Sequence, residues 1–187
     1  PVHAAKGVAL VKFLNTGQAC ISPNRIFVQR KILAPFLETL LERISKLRAG
    51  DGMDAATTIG PLVNQAAVDK VDRQVRDAVD LGATLHTGGQ RLTEGGLERG
   101  FFYAPTLLSD ISPQMLIYRE ETFGPVAAVI AFDDEDEVLA MANDTSYGLA
   151  AYVYTQNLSR AMRTFEGLQF GIIGINDINP TSAAAPF

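Results

Sequence analysis

The sequence predicts a three-layer α/β fold, a mostly parallel sheet with helices on its flanks. Segments of strand character alternate with segments of helical period along the chain, which is the order of a parallel sheet with crossover helices. Several strand candidates are continuously apolar, as strands covered on both faces are. The scale fits one domain: 187 residues, 47% hydrophobic and 20% charged, are enough to bury a core without staples.

Residues 4–14 carry a mostly apolar helical pattern, and Gly17 follows as a helix-ending residue. A polar loop around Cys20 comes next. Residues 25–29, RIFVQ, form a short β-rich run. The clearest helix follows: Ile32, Leu33, Phe36, Leu37, Leu40, Leu41, Ile44 and Leu47 recur at steps of three and four, with Gly50 as the stop. After a turn-rich passage through Gly60 and Pro61, residues 65–81 predict a second helix, with Val68, Val71, Val75 and Val79 on one face and Gly82 at its end. Residues 83–86 are a short strand. Residues 88–100 contain five glycines and read as a surface turn or hairpin. Strands are expected at 101–108 and 126–132. Residues 133–143 are a helix whose acidic first turn suits the helix dipole. A strand at 149–155, a helix at 158–168 capped by Asn157 and an apolar strand at 170–176, FGIIGIN, complete the series. No internal repeat or long linker interrupts it.

Composition excludes several functions. The net charge is −5 and the 16 Lys and Arg are scattered, so no basic surface for nucleic acid is expected. No stretch approaches the roughly 20 apolar residues of a membrane helix, and PVHAAKGVAL lacks a signal-peptide pattern. One cysteine rules out an internal disulfide framework and fits a reducing, cytoplasmic setting. With only His3 and His86, no metal site is expected. The chain begins within a helical pattern and stops at AAAPF, so a fragment of a longer protein is expected.

Cys20 sits in NTGQACISPNR. By composition alone it is either a small buried hydrophobe, as most free cysteines are, or a nucleophile whose thiolate is favoured by backbone dipoles in a polar turn. Those same N–H groups would serve an oxyanion. A cysteine hydrolase or acyltransferase would need His3 or His86 beside the sulfur. In REETFGP, residues 119–125, adjacent carboxylates precede a turn; they suit a ribose diol or a solvated loop. The DDEDE run at 133–137 reads as a solvated helix start. GIIGINDINPTSAAAPF, residues 171–187, runs from an apolar strand into a loop, where ligands of α/β folds often bind.

Taken together, these stretches resemble the NAD(P)-dependent aldehyde dehydrogenases. NTGQACISPNR is similar to that family's nucleophile loop, REETFGPV to its glutamate–phenylalanine motif, and GIIGIND with the later APF to the strand and loop closing its substrate pocket. GDGMDAATTIGPLVN and NDTSYGLAAYVYTQNLSRA fit the same pattern, so the resemblance covers nearly the whole chain in one order. It implies that residues 1–187 are a single catalytic domain, expected to lack an N-terminal cofactor-binding domain and a C-terminal oligomerisation tail. It implies that Cys20 is the catalytic thiol, passing through a thiohemiacetal and a thioester to a carboxylic acid, with its own N–H as one oxyanion donor. It implies that Glu121 binds the nicotinamide-side ribose and Phe123 packs near the nicotinamide of NAD or NADP, and that Asn15 and Arg25 support the loop. The general-base glutamate and a second, asparagine oxyanion donor belong upstream of Pro1, so the fragment alone is expected to be inactive.

The context is most similar to succinate-semialdehyde dehydrogenases. Those enzymes usually place an arginine six residues before the cysteine for the substrate's far carboxylate. Here that position is Leu14, which cannot pair a carboxylate, while Thr181 and Ser182 offer hydroxyls in the pocket loop. The expected partner is thus a small aldehyde, with no nucleic acid and no membrane. The parent is expected to be a homo-oligomer and the fragment to self-associate. The alternative class is a non-catalytic relative or interaction module.

Overall fold

The computed structural model describes residues 1–179. Six helices and six strands are ordered as α1 (Val2–Lys12), β1 (Ile26–Gln29), α2 (Leu33–Ile44), α3 (Gln65–Asp80), β2 (Thr84–Thr87), β3 (Thr106–Ser109), α4 (Leu116–Arg119), β4 (Val126–Phe132), α5 (Glu135–Asn143), β5 (Ala150–Val153), α6 (Leu158–Gly167) and β6 (Ile172–Ile175) among the described residues.

The main sheet runs β1-β4-β3-β2. β1 and β3 are both parallel to the central β4. β4 shows why the fold has three layers. Its residues alternate between two cores, as strand side chains must. Val126, Ala128 and Ile130 join Val68, Val71 and Val75 of α3, with Ile117 of α4, on one face. Ala127 and Val129 join Ala5, Phe36 and Leu40 of α1 and α2 on the other. The small Ala127 and Ala128 let helices approach closely on both sides.

The sheet is mostly parallel, as expected, with two departures that the sequence did not specify. β2 closes one edge antiparallel to β3, with a register shift between Leu85 and Thr87. β5 and β6 pair only with each other, in parallel, as a separate ribbon. Other boundaries shift for local reasons. α1 stops at Lys12 rather than at residue 14, because Asn15 and Thr16 take φ of 48° and 61° and turn the chain left-handed. Val79 leaves the buried face of α3 and is 40% exposed, while Ala78 is buried; the buried stripe steps from Val75 to Ala78. Residues 101–105 are not part of β3. Leu92 N–H donates to the Phe102 carbonyl and Ala104 N–H to the Gln90 carbonyl, and Pro105, having no N–H, interrupts before the strand resumes at Thr106. α4, only four residues long, is too short to show a period. Asn157 caps α6 as expected, accepting from Arg160 N–H.

Candidate functional site

α1 delivers the chain to three successive left-handed residues, Asn15, Thr16 and Gly17, at φ 48°, 61° and 76°. A β-branched residue such as Thr16 pays for that conformation, and the surroundings hold it there. Thr16 is buried, and its hydroxyl donates to the Gly60 carbonyl at 3.0 Å. At Gly17 a side chain is excluded twice over, by the positive φ and because a Cβ would strike the Gly124 carbonyl. The turn therefore places the Cys20 loop against the segment that carries Glu121 and Phe123.

Cys20 follows within a turn closed by Ser22 N–H donating to the Ala19 carbonyl at 2.9 Å, and it is exposed. The buried-filler reading does not fit that exposure. Four side chains fix the loop. Gln18 Nε2 donates to the Asn15 and Pro61 carbonyls, both at 3.2 Å, while its Oε1 accepts from Val63 N–H at 2.9 Å. Ser22 Oγ donates to the Lys12 carbonyl at 3.1 Å. Tyr152 Oη, reaching over from β5, donates to the Ile21 carbonyl at 3.1 Å. Burial, then the neighbouring Tyr154 and Cys20, push the Tyr152 phenol up to about 12, so it stays a donor at neutral pH. Asn24 Nδ2 donates to the carbonyls of Ile117 (3.1 Å) and Glu120 (3.0 Å), and Asn24 Oδ1 accepts from Thr122 N–H at 2.7 Å.

Arg25 turns away from the thiol. Its guanidinium donates to the Met141 and Ala142 carbonyls, both at 2.8 Å, and lies over the rings of Phe27 and Tyr118. Asn15 Nδ2 donates to the Gln18 carbonyl at 3.0 Å. Both residues are thus loop supports in geometry.

The REETFGP segment lies across from the thiol loop. Glu121 is half-buried, and its N–H meets Tyr147 Oη at 3.5 Å. Phe123 has a φ of 51°, an outlier for an aromatic residue that its surroundings must hold in place. Glu121, Thr122 and Phe123 line a cavity of about 300 Å³ with Gln18, Val63, Ala67 and Lys70. Thr122 is 1% exposed, and its hydroxyl has no hydrogen-bond partner among the described residues. A carboxylate, an ammonium and an amide line this cavity with one aromatic side chain, a donor and acceptor set able to hydrogen-bond a hydroxylated ligand.

The structure thus brings Gln18, Glu121 and Phe123 to one cavity, next to the loop of Cys20. Leu14 lies at the start of the left-handed turn and is 52% exposed. Thr181 and Ser182 lie outside the described residues. Sequence reasoning gave no role to Asn24, Lys70 and Tyr152; Asn24 and Tyr152 lie within stretches that carry the resemblance, but the contacts of all three arise only through the fold. Neither imidazole is hydrogen-bonded to Cys20 among the described residues. His86 is on β2, at the opposite edge of the sheet from β1, with Ser109 Oγ 2.9 Å from its Nε2. His3 packs edge-on to Tyr154, 5.6 Å between ring centres. Among the described residues no cluster of His, Cys, Asp or Glu is placed to hold a metal, and no helix is long and apolar enough to cross a membrane.

The model of the aldehyde dehydrogenase family matches residues 2–187. The chain belongs to the aldehyde dehydrogenase family. It is 46% identical to a probable succinate-semialdehyde dehydrogenase [NADP(+)] of Sinorhizobium fredii, over 98% of this chain and 37% of that protein. It is 44% identical to a succinate-semialdehyde dehydrogenase [NADP(+)] of Escherichia coli, again over 98% of this chain and 37% of that protein. The crystal structure of succinate-semialdehyde dehydrogenase from Burkholderia pseudomallei superposes with a TM-score of 0.94 at 40% identity, over 99% of this chain and 38% of that one. The chain therefore spans little more than a third of the length of these relatives.

Proposed function

We propose that this chain is the thiol-bearing catalytic domain of an NAD(P)-dependent aldehyde dehydrogenase that oxidises a small semialdehyde, such as succinate semialdehyde, to the acid. The observation that carries the reading is the exposed Cys20, held in a fixed turn beside the Glu121–Phe123 cavity. In the reaction, Cys20 Sγ adds as thiolate to the aldehyde carbon and the carbonyl electron pair moves to oxygen. The Cys20 N–H, which meets no acceptor among the described residues, donates to that oxyanion. When bound, the nicotinamide supplies hydride acceptance, the capability these side chains lack. Glu121 would accept from the ribose hydroxyls of the bound cofactor, Lys70 and Gln18 would add donors, and Phe123 would pack beside its nicotinamide. Water then cleaves the thioester, and the sulfur leaves as thiolate. NADP is the cofactor we favour, because the names of both curated relatives specify it. Leu14 gives a substrate carboxylate no partner, and the Thr181 and Ser182 hydroxyls are candidates for that role by the resemblance of their loop to the family's pocket loop.

In this reading the whole enzyme is a cytoplasmic homo-oligomer whose general base and phosphate-binding region lie outside residues 1–187, and the isolated domain self-associates. Assay of NADP reduction by succinate semialdehyde tests it. The whole enzyme carrying this chain turns over, the chain alone does not, and Cys20→Ala in the whole enzyme lowers kcat by at least about a thousandfold. Retained turnover in Cys20→Ala sinks the assignment.

A further inference from the structure

The nucleophile loop and the cofactor loop are joined by one side chain. Asn24 lies four residues after Cys20, yet all three of its hydrogen bonds go to residues 117–122, more than ninety positions along the chain: Ile117 O at 3.1 Å, Glu120 O at 3.0 Å and Thr122 N at 2.7 Å. The amide uses both kinds of polar atom. Its nitrogen holds two carbonyls, and its oxygen holds the N–H between Glu121 and Phe123. Glu120 is gripped from the other side as well. Its Oε2 accepts from Arg73 Nη2 at 3.0 Å and from the fully buried Gln74 at 3.2 Å, both on α3. The peptide preceding Glu121 is thus clamped between the thiol loop and α3. The three residues that follow, Glu121, Thr122 and Phe123, line the cavity, and the last is held at φ 51°. A strained residue keeps its conformation only where its neighbours over-determine it, and the Asn24 bond to the adjacent Thr122 N–H is a strong local constraint.

We infer that Asn24 is a positioning residue that fixes the distance between the Cys20 thiol and the Glu121–Phe123 cofactor subsite. It touches neither substrate nor cofactor. It acts through the loop that does, so its loss should weaken cofactor use more than aldehyde use. This inference rests on the proposed dehydrogenase reading.

Kinetics of the whole enzyme with NADP and aldehyde varied separately test it, with Asn24→Ala and Asn24→Asp. The alanine variant is expected to raise the KM for NADP on the order of five- to tenfold, the scale of lost buried hydrogen bonds, to lower kcat, and to leave the aldehyde KM within about twofold. The aspartate variant keeps an acceptor for Thr122 N–H but sets a carboxylate against two carbonyls. The two carbonyls disfavour its charged form and the Thr122 N–H favours it, so both set its pKa. Below that pKa the carboxyl is protonated and one donor returns, so the NADP KM of Asn24→Asp, relative to the unsubstituted enzyme, should recover as pH falls. Asn24→Ala should show no such recovery. Equal rises in both KM values, no rise in either, or an Asn24→Asp ratio flat with pH each overturn the inference. Failure of both variants to fold overturns it too, since Asn24 would then be a requirement of the fold. An unsubstituted enzyme with no NAD(P)-dependent turnover refutes the dehydrogenase reading instead.

Discussion

Lys12 is the residue in this domain that works against the fold. It ends α1, is 1% exposed, and makes no ion pair among the described residues. Burial lowers its ammonium to about 8, against which the negative charge of Glu121 pulls only partly. The unfolded chain holds this proton up to the ordinary lysine value of 10.5. Between about 8 and 10.5 the unfolded state therefore binds the extra proton, and the Lys12 contribution to stability rises with pH across that window. Below it, the folded state bears the full cost of a buried charge. Lys12→Met keeps an unbranched chain of similar length and removes the charge. It should stabilise the domain by roughly 1–3 kcal/mol at pH 7, with the gain shrinking towards pH 10.5. Urea unfolding at pH 7 and pH 10 measures both. A gain of the same size at both values would show that the charge is not the cause.

At the scale of elements, Arg25 decides how α5 ends. The last four carbonyls of a helix have no partner within it, and here Met141 and Ala142, in the final turn of α5, find theirs in one guanidinium at 2.8 Å each. The planar group also lies over Phe27 of β1 and Tyr118 of α4, so one side chain ties three elements together. Arg25→Ala should cost about 2 kcal/mol. Arg25→Lys should recover little of it, because one point-like ammonium lacks the two spaced nitrogens that meet Met141 and Ala142 and has no planar face to stack on Phe27 and Tyr118. Urea midpoints of the two variants check this, and a lysine variant as stable as the unsubstituted chain would refute it. The same elements mark what the sequence made legible. α3 and α6 were readable because period and cap coincide, with Asn64 accepting from Ala67 N–H and Asn157 from Arg160 N–H. β4 was readable to the residue because both of its faces are buried. The division into two sheets was not, since nothing in residues 149–153 states which neighbour a strand will choose. At the site, Cys20, Glu121 and Phe123 were readable as parts of motifs. The Asn24, Tyr152 and Lys70 contacts were not, because each depends on pairing segments that local pattern does not relate.

Across the whole molecule the buried apolar residues are unevenly spread. One core cluster draws on α3 and α4 and the other on α1 and α2, each with the main sheet, and among the described residues beyond Phe132 only Met141 packs against them. β5 is half-buried along its length, and α6 buries Ala161 alone. Leu158, Met162 and Phe165, spaced along one face of α6, are exposed. Residues 135–175 are held to the rest mainly by polar links: the Arg25 fork, the Tyr152 bond to Ile21 and the Arg119–Asp144 pair. Few buried contacts and many accessible hydrogen bonds mark a segment that opens below the global unfolding energy. Amide exchange of the domain should therefore separate into two sets. The β3 and β4 amides should exchange only on global unfolding, and those of β5 and β6 at least tenfold faster, a gap of about 1.4 kcal/mol or more. Exchange of all four strands at one common free energy would mean a single cooperative unit. The split matters for function because the Ile21 carbonyl, next to Cys20, is held from the softer half, whereas Glu120 and Thr122 are held from the firmer one. The Cys20 loop is thus tied by Tyr152 to β5 and by Asn24 to the 117–122 segment, and the exchange rate of β5 measures how firmly the first of those ties is held.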